Sequence, residues 1–264
     1  MTDPALGERL SPLLADPRRA LIACDYDGTL APIVADPATA RPAEGAIEAL
    51  ATLSGLVGRV AVVTGRGALD VVRLGGLDRV PVQPVHGEPG DQRWSGGALE
   101  EVDPDPGVDA ARREVAALVA AAPHGVRLED KGRSVAVHTR QAAEPAAELE
   151  RWRAPLAAVA ARHGLRLEAG RFVLELRPSG SDKGAAVSRL ARELGATSVL
   201  FAGDDIGDLA AFKALDTLRS EGASTWAVAA RSAEVPEVAA AADLVVEGPA
   251  GVVRLLQELA QLLG

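Results

Sequence analysis

The chain has 264 residues, 48% of them hydrophobic, and a formal charge of −9. That length and apolar content suit one large domain or two modest ones with full cores. The acidic balance excludes nucleic acid and anionic membrane as expected partners, because both demand a basic face. A chain of this charge that takes an anionic ligand must gather positive charge locally, from a few side chains and a metal.

One cysteine, Cys24, excludes an internal disulfide and fits a reducing compartment. The opening MTDPALGERL lacks a basic region followed by a long apolar run, and no stretch approaches the ~20 apolar residues of a membrane span. The chain is therefore expected to be cytoplasmic, and we expect a monomer. Of 28 basic residues only Lys131, Lys183 and Lys213 are lysines. Where arginine has replaced nearly every lysine, the survivors mark places that require a compact ammonium.

Residues 20–24 (ALIAC) form a short apolar run ending at Asp25, as expected of a strand covered on both faces. A helix is predicted over 42–56, a strand over 60–63 ending at Thr64-Gly65-Arg66, a helix over 68–74 and a strand over 80–85. This alternation predicts an α/β, Rossmann-like, doubly wound parallel sheet. The Pro-Asp-rich stretch 103–107 breaks the rhythm. Beyond it come a helix (108–122), two strands (126–129, 134–138), a helix (146–163) and two strands (165–168, 172–176). That repeat predicts an inserted α+β cap. After a second break at 177–181 the first pattern resumes: helix 182–194, strand 198–202, helix 208–215, strand 225–228, strand 243–246 and helix 252–263. The expected division is core 1–105, cap 106–178 and core 179–264, joined by hinges that let the cap close.

Ligands of open parallel sheets bind beyond the carboxyl ends of the strands. There the sequence gathers Asp25, Asp27, Thr64, Lys183, Asp204, Asp205 and Asp208. So many acids on one edge repel one another unless a cation sits among them. All-oxygen ligands suit a hard ion such as Mg²⁺, and no His/Cys cluster offers a zinc site. Two aspartates one residue apart can divide the labour of phosphoryl transfer, one attacking phosphorus and one moving the proton. Gly28 permits the tight turn between them and Thr29 can hold it. Thr64, Gly65, Arg66 and Lys183 are the candidates to hold the phosphoryl group. Asp208 at a helix start is a supporting residue.

Asp25-Tyr26-Asp27-Gly28-Thr29, Thr64, Asp182-Lys183-Gly184 and Gly203-Asp204-Asp205, in this order, resemble the haloacid dehalogenase superfamily of phosphatases. That resemblance implies a nucleophile at Asp25, an acid/base at Asp27, and Mg²⁺ on Asp25, Asp27 (by its carbonyl), Asp204 and Asp205. Leu128-Glu129-Asp130-Lys131-Gly132, Ala136-Val137-His138-Thr139-Arg140 and Val173-Leu174-Glu175-Leu176-Arg177-Pro178 resemble the trehalose-6-phosphate phosphatases. The implied substrate is a small sugar phosphate, with Glu129, Lys131 and Glu175 on the glucose unit that lacks the phosphate. Association with a trehalose-phosphate synthase is also implied. Rival readings are a phosphatase of sucrose phosphate or mannosylglycerate phosphate, and a silent sugar-phosphate sensor. The family's core–cap border motif falls either on Gly87-Glu88-Pro89-Gly90 or on His86-Gly87, which makes His86 a substrate-binding candidate. The fourth motif departs from the family pattern, with Gly207 and Leu209 flanking Asp208.

Overall fold

In the computed structural model, residues 4–80, 84–87, 92–101, 105–170, 172–178, 182–231 and 235–264 are described. Strands β1 (Ala20–Cys24), β2 (Arg59–Val63), β3 (Val85–Gly87), β4 (Gln92–Ser95) and β5 (Ala98–Glu101) come first in the chain. They are followed by β6 (Arg127–Asp130), β7 (Val135–His138), β8 (Leu165–Gly170) and β9 (Val173–Pro178), then β10 (Ser198–Gly203), β11 (Ser224–Ala230) and β12 (Leu244–Val246). The chain divides into two units, 1–101 with 182–264, and 102–181.

Among the described residues the first unit carries an eight-stranded sheet in the order β12-β11-β10-β1-β2-β3-β4-β5. Pairing is parallel from β12 to β3 and antiparallel from β3 to β5. Every residue of β1 and β10 is buried, as a sheet covered on both faces requires. Alternate side chains serve opposite faces. Ile22, Cys24, Val60 and Val62 join one apolar layer with helices Ala46–Leu56 and Gly248–Leu263. Leu21, Ala23, Ala61 and Val63 join the other, with helices Lys183–Leu194 and Leu209–Ser220. Strand order reverses between β1 and β10, and such a switch point opens a crevice at the carboxyl ends.

The second unit has a four-stranded antiparallel sheet, β6-β7-β9-β8, and helices Pro106–Ala120 and Pro145–Arg162. Leu128, Val135, Val137, Leu174 and Leu176 pack with both helices into a separate core. The opposite parity places Glu129, Ala136, Glu175 and Glu168 in one row across the four strands.

Several expected elements shift. The helix predicted from residue 42 starts at Ala46, because Gly45 is left-handed (φ 80°) and ends any helical run there. The strand expected over 80–85 partly lies outside the described residues, and β3 is found at Val85–Gly87. The hairpin β4–β5 has no counterpart in the expected pattern, nor do helices Pro4–Arg9, Ser11–Ala15 and Pro236–Ala241. Of the expected hinges, residues 103, 104 and 179–181 lie outside the described residues. No helix among the described residues is long and apolar enough to cross a membrane.

Candidate active site

Three neighbouring strands deliver the site. Asp25 follows β1, and its N–H donates to the carbonyl of Ala202 on β10 (2.8 Å). Thr64 follows β2, with its N–H on the His86 carbonyl of β3 (2.8 Å). Asp204 follows β10. Between β1 and the next helix the chain turns sharply: the N–H groups of Leu30 and Ala31 both donate to Tyr26, and Gly28 N–H donates to Ala31 (2.7 Å). Gly28 is obligatory at this turn. Its φ is +72°, and a Cβ there would lie 1.9 Å from an oxygen of Asp204.

Asp25, Asp204 and Asp208 are buried and offer carboxylate oxygens within 4.8 Å of one another. Among the described residues this is the cluster able to hold a metal ion. Lys183, the first residue of its helix, is buried with its ammonium 2.9 Å from Asp25 and 2.7 Å from Asp208. Asp182 caps that helix by accepting from Ala185 N–H (2.8 Å). The hydroxyl of Thr29 donates to Asp204 (3.0 Å). Asp208 accepts from Lys183 on one oxygen and from the N–H groups of Asp204 (2.9 Å) and Asp205 (3.0 Å) on the other. It therefore folds the Gly203–Asp208 loop back on itself. Gly203 is required there, since a Cβ would meet the Asp208 carboxyl at 2.3 Å.

Crowding shapes the ionisation of these groups. Burial raises the pKa of Asp25 well above the usual carboxylate range; Lys183 pulls it down and Asp208 pushes it up. Burial also lifts Asp204 to about 7, with the Thr29 hydrogen bond opposing and the charges of Asp208 and Asp205 adding. Asp208 is raised by burial too, against the pull of Lys183. For Lys183 burial works to lower the pKa, but Asp25, Asp208 and Asp205 together raise it. A buried set of three carboxylates with all-oxygen donors fits a hard divalent ion, which would favour their ionised forms alongside Lys183.

The other expected residues are distributed around this cluster. Asp27 and Asp205 are not among the three clustered carboxylates. Asp27 pairs with Arg66, and Asp205 is well exposed, its carboxylate 3.9 Å from Lys183. The Thr64 hydroxyl is buried and accepts from Arg66 N–H (3.2 Å). No atom would crowd a Cβ at Gly65. His86 buries its ring, and neither ring nitrogen has a hydrogen-bond partner among the described residues. Burial, then the guanidiniums of Arg189, Arg93 and Arg59, push its pKa down to about 3. The alternative border motif at 87–90 lies mostly outside the described residues.

In the second unit Lys131 sits in the β6–β7 turn and pairs with Glu175 on β9 (2.8 Å). Glu175 also accepts from the Ser134 hydroxyl (2.5 Å), and its pKa is lowered: burial opposes, but the bonds from Lys131 and Ser134 prevail. Glu129 pairs with His138 (2.6 Å). Ser134 and His138 are partners that received no site role from the sequence, although His138 lies in one of the family-like segments. Their signal is positional, since β-strand parity puts His138 on the same sheet face as Glu129.

A sequence model of the trehalose-phosphatase family matches residues 23–250. The trehalose-phosphate phosphatases of Mycobacterium marinum and Mycobacterium ulcerans are each 33% identical over 258 residues, covering 94% of this chain. The chain spans 63% of the length of each, less than two thirds. Among solved structures, an Aspergillus fumigatus trehalose-6-phosphate phosphatase superposes with a TM-score of 0.79 at 26% identity, covering 96% of this chain and 97% of that one. With the family model covering both motif-bearing halves of the core and the segment between them, the chain belongs to the trehalose-phosphatase family.

Proposed function

We propose that this chain hydrolyses trehalose 6-phosphate to trehalose and phosphate through an aspartyl phosphate on Asp25, with Mg²⁺ as the metal. The observation that carries the reading is the buried triad of Asp25, Asp204 and Asp208 with Lys183 against two of its members. Asp25 and Asp204, with the Asp27 carbonyl and Asp205, would hold Mg²⁺, which would supply positive charge against which a phosphate dianion can approach a carboxylate. Asp25 attacks phosphorus and forms the phospho-aspartate, while the bond to the sugar oxygen breaks. Asp27 gives that oxygen a proton, then takes one from the water that hydrolyses the acyl phosphate. The ammonium of Lys183 stabilises charge on the transferring group, and the Thr64 hydroxyl with the Gly65 backbone N–H orients one of its oxygens. Asp208 fixes Lys183 and the loop carrying Asp204, as Thr29 fixes Asp204 from the other side.

Sugar selectivity is assigned to Glu129, Lys131 and Glu175 of the second unit. Carboxylates and an ammonium on adjacent strands can fork onto vicinal hydroxyls, and the Lys131–Glu175 pair supplies both a donor and an acceptor. The deciding experiment measures phosphate release with Mg²⁺ from trehalose 6-phosphate, sucrose phosphate, mannosylglycerate phosphate and glucose 6-phosphate. Trehalose 6-phosphate is expected to lead in kcat/KM by at least about tenfold, a modest demand on a site that hydrogen-bonds the second sugar. Equal rates on glucose 6-phosphate reject the substrate assignment. Asp25→Asn is expected to fold normally and lose turnover; persistent turnover rejects the nucleophile.

A further inference from the structure

Arg66 follows Thr64 and Gly65, where a guanidinium is expected to grip phosphate, yet its contacts run elsewhere. Its Nε and Nη2 bond the two carboxylate oxygens of Asp27, with Nη2 2.6 Å from Oδ1. Its Nη1 donates to the carbonyl of Pro37 (2.6 Å). Its Cζ stands 5.8 Å from the centroid of the Tyr26 ring. All three guanidinium nitrogens are thus engaged and the plane is fixed. Asp27, in contrast, lies outside the carboxylate cluster and keeps a third of its side chain exposed. A short carboxylate at that exposure has several rotamers open to it, and a two-pronged partner selects one.

We propose that Arg66 is a positioning residue: it fixes the carboxylate of Asp27 for proton transfer and does not hold the phosphoryl group. The inference rests on the phosphatase reading above, in which Asp27 handles the proton. It separates cleanly from a phosphate grip. A grip binds ground state and transition state alike, so its loss raises KM and weakens inhibition by inorganic phosphate. A positioner acts only through Asp27, so its loss lowers kcat and leaves both binding constants in place.

The experiment compares wild type, Arg66→Gln, Arg66→Lys, Asp27→Asn and the double variant Arg66→Gln/Asp27→Asn, on the sugar phosphate with Mg²⁺, at high enzyme concentration for the slow variants. Arg66→Gln is expected to lower kcat by about 100-fold, the lower range of what general acid–base catalysis contributes, with KM and phosphate inhibition unchanged. Arg66→Lys does not rescue it, because an ammonium cannot present two parallel N–H groups. In the Asp27→Asn background the Arg66→Gln change has no further effect, since one residue works through the other. A rise in KM and in the phosphate inhibition constant with kcat intact overturns the proposal, as does an undiminished loss in the Asp27→Asn background. Should Arg66→Gln fail to fold, judged by circular dichroism and thermal midpoint, Arg66→Lys carries the same comparisons. A wild-type chain that releases no phosphate from any ester overturns the phosphatase reading itself, whereas active wild type with additive losses overturns this inference alone.

Discussion

Gly28 and His86 show what single residues do, one against the Asp204 carboxylate and one buried on β3. At Gly28 both the positive φ and the missing Cβ are needed, because the Asp204 carboxylate occupies the space a methyl group would fill. Gly28→Ala is expected to displace Asp204, weaken metal binding by about 10- to 100-fold, and cost about 1–3 kcal/mol of stability. Calorimetric titration with Mg²⁺ and a denaturant melt read the two effects separately. His86 sits in the core with its pKa pushed down to about 3, so the folded state favours the neutral ring. For a histidine depressed in this way, the stabilising contribution is complete above the unfolded value near 6.5 and is lost as pH falls from there toward 3. Between pH 7 and pH 5 the chain should lose about 2 kcal/mol through this group. His86→Phe should remove that part of the pH dependence, and with it two ring nitrogens that have no partner among the described residues; denaturant melts at both pH values check this.

At the scale of elements, helix Lys183–Leu194 joins stability to chemistry. Its cap, Asp182, sets the first turn, and that turn begins with the lysine that faces Asp25 and Asp208. Asp182→Ala is expected to cost about 1 kcal/mol of stability, the usual worth of such a cap, and to lower kcat by misdirecting Lys183. Thermal melts and steady-state kinetics on the same preparation test both. The strands that carry Asp25, Thr64 and Asp204 were readable from residues alone, because a parallel strand covered on both faces is an unbroken apolar run with a polar tip. The hairpin β4–β5 was not read. Gln92, Arg93 and Ser95 are half-buried around a buried Trp94, Ala98 and Glu100 are exposed, and the clearest mark is Gly96-Gly97, both at positive φ in a two-residue turn. In the same way Asp208 looked like a helix-start acid with a supporting part. Its hydrogen bonds to Lys183, Asp204 and Asp205 depend on the fold bringing residues 183 and 208 together, which spacing along the chain does not reveal.

At the scale of the molecule, three apolar cores among the described residues divide between two units: two lie on the faces of the large sheet and one is confined to the second unit. Val108, Val115, Leu156, Val159, Leu174 and Leu176 satisfy one another within residues 102–181. We propose that the cap, residues 106–178, is an autonomous domain between core segments 1–105 and 179–264. Expressed alone, it should show cooperative thermal unfolding with α+β circular dichroism, although a domain of this size is expected to be only marginally stable. A non-cooperative melt would mean that its fold depends on the rest of the chain.

Cys24, the last residue of β1, is fully buried, and burial, with the adjacent Asp25 charge, holds its thiol up at about 12. The native chain therefore presents maleimide reagents with an essentially silent background at neutral pH. One cysteine engineered on each unit would take a spectroscopic probe pair without first deleting the natural thiol beside Asp25. Interdomain distances, with and without sugar phosphate, then become measurable on an otherwise unaltered chain.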